Sequence, residues 1–201
     1  MTASTDPPIL ERAAERQRSA LALLESLRYL ERWGTLGPTE LVGSVRHGLV
    51  VARDIDVEIA APVLDPAATF AVAGELAASP RVVRALFRNQ SASRGWLYWE
   101  ISAQADDGEE WTIETYISGP DDPYRGWSAE LATALERALT DEERCAILAL
   151  KESLADDPAY RAMDVYRAVA DGGVRTPDEF EPWRETSGSD ELMRWLPRLR
   201  R

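Results

Sequence analysis

Hydrophobic positions near the start of the chain recur with the period of a helix. Leu23, Leu24, Leu27 and Leu30 stand at i, i+1, i+4 and i+7, one apolar stripe on a segment running from Pro8 to about Trp33, where Gly34 supplies a stop. Turn residues cluster between Thr35 and Pro38. Leu41-Val42 then runs directly into Gly43-Ser44, the pattern of a short buried strand ending in a tight loop. Between Val50 and Ala60 the period changes to two: Ile55, Val57 and Ile59 alternate with Asp54, Asp56 and Glu58, giving a strand with an apolar face and a carboxylate face. Asp65-Pro66 has the order of an N-cap followed by proline at the first helical position, and predicts a helix through the small residues up to Ala78. Ser79-Pro80 repeats that signal and predicts a shorter helix reaching Phe87. Trp96 to Ala103 and Trp111 to Ser118 read as two strands joined across Asp106-Asp107-Gly108 as a hairpin.

Beyond Gly119 the pattern is helical after a loop rich in Gly, Pro and Asp. Thr140-Asp141-Glu142-Glu143 forms a capping box, Asp157-Pro158 is a second cap, and Gly172-Gly173 ends a helix holding Tyr166 and Val169. Thr176-Pro177-Asp178-Glu179 opens the next helix. No internal repeat or low-complexity tract interrupts this order.

Composition narrows the function classes. The 201 residues carry 35 acidic and 23 basic side chains, a formal net charge of -12. The excess is shared evenly, with 17 acidic and 11 basic residues in 1–119 and 18 and 12 in 120–201, so no acidic tail or basic arm stands apart. A generic nucleic-acid coat or an anionic-membrane binder needs a positive footprint, so both are disfavoured and a small cationic substrate is favoured. A single cysteine, Cys145, permits neither an internal disulfide nor a cysteine-rich zinc site, and its helical setting predicts a buried, inert thiol. The start of the chain lacks the pattern of a signal peptide, and no stretch approaches the ~18 apolar residues of a membrane span, so the expected compartment is cytoplasmic.

The stretch from Leu41 to Ile59 carries the chemistry. On a strand, Asp54 and Asp56 point the same way and lie within ~7 Å of each other. Two adjacent carboxylates repel unless they are solvated or bridged by a cation, so a solvated strand face and a metal site are the two readings. Mg2+ suits the second, because it takes one or two carboxylates and completes its octahedron with water and substrate phosphates. Gly43-Ser44 supplies what a phosphate needs: a residue without Cβ that lets the backbone approach, then a hydroxyl.

Gly43-Ser44, nine intervening residues, then Asp54-Ile55-Asp56-Val57 resembles the signature of the polymerase-β-like nucleotidyltransferase superfamily, in which Gly-Ser precedes a hydrophobic-flanked Asp-x-Asp or Asp-x-Glu. Further blocks are similar to a group of small bacterial nucleotidyltransferase-like proteins: Gly48-Leu49 before Arg53-Asp54, Gly95 to Trp99, Trp111 to Tyr116, Ile147 to Lys151, Asp164 to Val169 and Thr176 to Phe180. The resemblance implies an α/β fold, a small mixed β-sheet flanked by helices over residues 1–119, with a C-terminal helical subdomain over 120–201. It implies transfer of a nucleoside monophosphate from NTP to an acceptor hydroxyl with Mg2+ or Mn2+, and release of pyrophosphate. Gly43 and Ser44 would hold the triphosphate, Asp54 and Asp56 the metals, and Glu114 the third carboxylate position, where the group has Asp. A small-molecule acceptor is the expected partner, with nucleic acid and membrane disfavoured. The rival readings are a non-catalytic nucleotide-binding protein that keeps the fold, and a toxin-type transferase acting on a protein or tRNA.

Several residues stay open between site and scaffold. Glu114 is an exposed strand glutamate or a ligand, and Glu58 is read as solvent-facing. Lys151, the one lysine among 23 basic residues, is a surface group or, as the resemblance suggests, a point charge on the triphosphate. His47, the single histidine, is a structural turn residue or touches substrate. Arg46 and Arg53 pair with phosphate or offset the carboxylates. Trp96 or Trp99 stacks a base or packs in the core, and Tyr166 has the same two readings.

Overall fold

In the computed structural model, which describes residues 8–157, 161–186 and 194–198, the first apolar stripe forms two helices, α1 (Ile9–Ser26) and α2 (Tyr29–Trp33). This corrects the expectation of one helix reaching Trp33. The break falls at Arg28, whose φ of 48° is left-handed and costs a non-glycine residue roughly 1–2 kcal/mol. What offsets it is the burial of Tyr29 and Trp33, both wholly enclosed, with the Tyr29 hydroxyl 2.7 Å from Thr115 Oγ1. Removing the ring in Trp33→Ala costs on the order of 3–5 kcal/mol.

The chain continues as β1 (Thr39–Val42), α3 (Gly43–His47), β2 (Asp54–Ala60), α4 (Pro66–Ala77), β3 (Val82–Gln90), α5 (Ser91–Arg94), β4 (Trp96–Gln104) and β5 (Glu110–Ser118). Asp65 caps α4 as expected, its Oδ1 accepting from the amides of Ala67 and Ala68. The helix expected after Ser79-Pro80 is instead β3. Its residues pair antiparallel with β4, and Phe87, opposite Trp99, packs its ring against both Trp99 and Phe70 at 5.0 and 4.9 Å. Cross-strand aromatic contacts of this kind outweigh a local helix-start signal.

The five strands form one mixed sheet in the order β1-β2-β5-β4-β3. β2 runs parallel to β5 and every other pair is antiparallel. The hairpin between β4 and β5 turns at Gly108, with φ 81°. One face of the sheet is apolar: Ile55, Val57, Ile59, Leu97, Trp99, Ile101, Trp111 and Ile113 pack with Leu23, Leu24 and Leu27 of α1 in a single core. The other face is polar and partly open.

Then follow α6 (Trp127–Ala138), α7 (Asp141–Ser153), α8 (Ala162–Ala170) and α9 (Pro177–Thr186). Thr140 and Glu143 form the expected capping box at α7. Glu179 accepts from the amides of Arg175 and Thr176 where α9 begins. Pro158 of the expected Asp157-Pro158 cap lies outside the described residues. These helices build a second core around Leu135, Ile147, Leu150, Val165, Val169 and Phe180, to which Ala13 of α1 and Leu49 also belong. Helix α1 therefore enters both cores, and Arg12 Nη2 donates to Glu152 on α7 at 2.9 Å. Cys145 is half-buried, not buried as expected. No described helix is long and apolar enough to cross a membrane.

Candidate active site

Strand register orders the polar face into rows. Asp54, Thr112, Ser102 and Arg84 lie opposite one another across β2, β5, β4 and β3. Asp56, Glu114, Glu100 and Leu86 form the next row, and Glu58, Tyr116, Tyr98 and Arg88 the one after. Paired residues share a face, so Asp54, Asp56 and Glu114 are neighbours on one surface.

Gly43 joins α3 to this surface. Its φ is +64°, and a Cβ there would meet Asp56 Oδ2 at 1.9 Å, so both backbone conformation and close approach require glycine. The glycine lets the Asp56 carboxylate lie against the α3 backbone. Ser44, next in the chain, is buried, and its Oγ has no hydrogen-bond partner. Neither does Nδ1 of buried His47. Burial, then the charges of Lys151, Arg144 and Arg46, push His47 down to about 3, so the ring is neutral and packs edge-on against Tyr166.

Gly43, Ser44, Asp54, Asp56 and Lys151 line one cleft of about 750 Å³ between the sheet and the helices. Burial, then the charges of Asp54 and Glu114, push the Asp56 carboxyl from 3.8 up to about 7, with Lys151 opposing them. Lys151 is itself buried. Its Nζ donates to the Leu49 carbonyl at 2.6 Å and to the Tyr166 hydroxyl at 3.4 Å. Desolvation lowers its pKa to about 8 against the opposing pull of Asp54 and Asp56. Arg144 donates to the His47 carbonyl at 2.7 Å, so two cations of α7 tie down the segment between α3 and β2.

Glu114 differs from the aspartates. Its Oε1 accepts from Tyr98 at 2.7 Å and its Oε2 from Tyr116 at 3.0 Å, and it does not line the cleft. Both hydroxyls are strongly disfavoured from ionising, first by burial and then by the glutamate charge.

Among the described residues no three His, Cys, Asp or Glu side chains converge as a metal-holding set. The donors present are two carboxylates on one strand face beside an unpartnered hydroxyl. That set fits a hard cation such as Mg2+, which needs only one or two protein carboxylates when phosphate oxygens and water supply the rest.

No protein-family model and no curated protein sequence matches the chain. Among solved structures, it is similar to the Cid1 poly(U) polymerase bound to MgATP, with TM-score 0.53 and 15% identity over 76% of this chain and 48% of that one. The chain has a nucleotidyltransferase fold. It spans about half the length of Cid1, at 48%. Weaker likenesses include the GLD-2/RNP-8 complex, with TM-score 0.48, 14% identity and coverage of 93% and 75%. The CdnE c-di-GMP synthase from Capnocytophaga granulosa gives TM-score 0.48, 10% identity and coverage of 76% and 58%.

Within this nucleotidyltransferase fold, the open residues fall into place. Glu58 is half-buried and lines the cleft, its Oε1 accepting from the Gly126 amide at 3.2 Å, where a solvent-facing side chain was expected. Arg46 pairs with Glu40 and Glu136, and Arg53 with Glu109, so both offset carboxylates away from Asp54 and Asp56. Trp99 is a core residue, Trp96 lines the cleft, and Tyr166 is buried in the helical core while also lining the cleft. Sequence reasoning missed Tyr98 and Tyr116 as partners of Glu114. Their only signal was the even spacing that puts Glu114 and Tyr116 on one side of a strand.

Proposed function

We propose that the chain transfers a nucleoside monophosphate from NTP to an acceptor hydroxyl. The observation that carries this reading is the pair Asp54 and Asp56 on one strand face, Asp56 lying against Gly43 and neither bonded to a cation among the described residues, next to the unpartnered Ser44 Oγ. Holding the Asp56 charge in a desolvated place beside Asp54 is costly, and a divalent cation with phosphate oxygens would offset that cost while giving the serine hydroxyl a hydrogen-bond partner. Similarity to Cid1, whose structure was bound to MgATP, and the likeness of several sequence blocks to small bacterial nucleotidyltransferase-like proteins support the same reading.

In this reading, Gly43 and Ser44 receive the triphosphate and Lys151 faces it with positive charge from the helical subdomain, residues 120–201. Asp54 and Asp56 would hold Mg2+ or Mn2+, which when bound would supply Lewis-acid stabilisation of charge on the phosphate oxygens. The acceptor oxygen forms a bond to the α-phosphorus, the bond to the bridging oxygen breaks, and pyrophosphate leaves. Glu114, beside Asp56 in the sheet, takes the acceptor proton. Its two oxygens are already engaged by Tyr98 and Tyr116, so proton capture requires one of these bonds to yield. Transfer is therefore slow. A cytoplasmic setting belongs to the same reading.

Calorimetry of each NTP with and without Mg2+, followed by pyrophosphate release with a panel of hydroxyl acceptors, tests it. Metal-dependent binding with pyrophosphate release is expected. Binding without release would describe a non-catalytic nucleotide-binding protein, and no binding of any NTP would sink the site.

A further inference from the structure

Charge on the polar sheet face is graded from one side to the other. The β2 side carries Asp54, Asp56 and Glu58, whereas the edge strand β3 carries Arg84 and Arg88 in the same rows. Residues 76–99 contain four arginines and no acid, in a chain whose net charge is -12. β3 is the last strand of the sheet and pairs only with β4, so the outward backbone groups of its alternate residues have no strand to bond. Such edges are commonly blunted by a bulge. Here a register irregularity between Val82 and Arg84 does so at one end only, and pairing then runs without interruption from Arg84 to Gln90.

The two faces of this edge differ. On the polar face, Arg84 is held by Glu100 at 2.6 Å and by Ser102 at 3.2 Å, while Arg88 is exposed and in no ion pair among the described residues. On the core face, Ala85 is exposed and Phe87 half-buried, whereas Ile101 and Trp99, opposite them on β4, are buried. Phe70 of α4 rests its ring on Phe87 and Trp99 at 4.9 Å each and remains 52% exposed. The apolar layer therefore continues to the outer edge of the last strand, where no described strand covers it.

We propose that this edge receives an extended peptide segment of a partner protein, one in which acidic and apolar residues alternate, added to β3 as a further strand of the sheet. Its backbone bonds the outward amides and carbonyls of residues 84–90. Its acids lie beside Arg84 and Arg88 on the polar face, and its apolar side chains cover Ala85, Phe87 and Phe70 on the other. Charge complementarity selects this occupant over a second copy of the chain. Antiparallel two-fold pairing of β3 with itself keeps like faces together and gathers Arg84 and Arg88 of both copies on one side. Parallel two-fold pairing turns the apolar face of one copy to the polar side of the other. None of Phe70, Arg84, Ala85, Phe87 and Arg88 lines the cleft, so this surface stands apart from the proposed chemistry.

The test titrates the full chain with two fluorescent peptides of about seven residues, one alternating glutamate with valine and the other lysine with valine. The parent is expected to bind the glutamate peptide about tenfold more tightly, because the lysine peptide replaces two attractive pairs by two like-charge pairs. Arg84→Glu with Arg88→Glu should reverse the preference. The control Arg18→Glu with Arg137→Glu, at exposed positions on α1 and α6, should keep it. Amide hydrogen exchange reads the mode of binding: the glutamate peptide should slow exchange at alternate residues between Arg84 and Gln90, the mark of an added strand. NTP binding with Mg2+ should be the same in the parent and the Arg84/Arg88 variant. No binding of either peptide, equal affinity for both, unprotected β3 amides, or displacement by an equal concentration of a single-stranded oligonucleotide would each overturn the proposal. So would a dimer whose β3 amides are protected without peptide. If the reversed variant does not fold, the parent's preference and its exchange pattern decide alone.

Discussion

Asp56 and Glu114 are opposite each other in the sheet, yet the β1–α3–β2 corner and the β4–β5 hairpin treat their carboxylates differently. At the corner, Asp56 lies against a glycine with like charges beside it, its pKa driven up to about 7, and neighbouring Ser44 Oγ and His47 Nδ1 lack partners. On the hairpin, two tyrosine hydroxyls satisfy both oxygens of Glu114. Buried polar groups are ordinarily hydrogen-bonded, so Ser44 Oγ and His47 Nδ1 are open beside Asp56, whereas both oxygens of Glu114 are satisfied within the fold. On the proposed reading, the difference separates carboxylates that would meet a ligand from one already engaged by neighbouring side chains.

The largest effect should come from the corner. Asp54→Asn or Asp56→Asn is expected to lower transfer by roughly 1000-fold, ~4 kcal/mol of barrier, and to abolish metal-dependent NTP binding while the circular dichroism spectrum is unchanged. Retention of turnover within about tenfold would mean the corner holds no metal and the contrast with the hairpin is lost.

Changes at the hairpin should be smaller and run in both directions. Glu114→Gln is expected to reduce transfer by about 100-fold if the glutamate takes the proton, a typical loss for general acid–base catalysis. Tyr116→Phe removes the bond to Oε2, worth about 1.5–3 kcal/mol for a charged acceptor, and should raise transfer by about tenfold. Glu114→Asp draws the carboxylate back from both tyrosines and should preserve or raise it. Equal turnover in Glu114→Gln and the parent would leave Glu114 a structural partner of the tyrosines.

Lys151 serves the corner twice, since it faces the aspartates and also holds the Leu49 carbonyl. Lys151→Met should weaken NTP binding by roughly 1–3 kcal/mol and lower the melting temperature by a few degrees, because it leaves a buried carbonyl unpaired. A lower melting temperature with unchanged NTP affinity would confine Lys151 to tying down the loop.

The smallest effects are in pH dependence without metal. Because the folded pKa of Asp56 is raised to about 7, its contribution to stability is full below 3.8 and is lost as pH rises through 7. For His47 the folded pKa is depressed to about 3, so its contribution is present above 6.5 and is lost as pH falls toward 3. The two oppose each other in one window. Asp56→Asn should therefore melt higher than the parent at pH 8, by on the order of 5 °C, and lose that advantage near pH 4. His47→Phe should destabilise less on acidification than the parent. Parallel melting profiles for all three proteins would show that neither group is held in its strained state.

Much of this site was legible from local pattern alone. The alternation at Asp54 to Ile59 determined a strand with carboxylates on one face, and the family resemblance at Gly43-Ser44 pointed to the corner where Gly43 lies against Asp56. Helix caps at Asp65, Thr140 and Thr176 were equally readable, because a cap is a contact between residues two to four apart in the chain. Other features depended on distant partners. The segment after Ser79-Pro80 became β3 through pairing with β4, and the first helix broke at Arg28 so that Tyr29 could reach Thr115. Lys151 gained its buried place from Leu49, 102 residues earlier. Glu114 was captured by Tyr98 on the neighbouring strand, and the charge gradient across the sheet arose only when register set Arg88 in the row of Glu58. Sequence determines periodicity and local hydrogen bonding, where the interacting groups are a few residues apart. Burial, pKa and the pairing of charges depend on which surfaces pack together, and only the tertiary structure decided those.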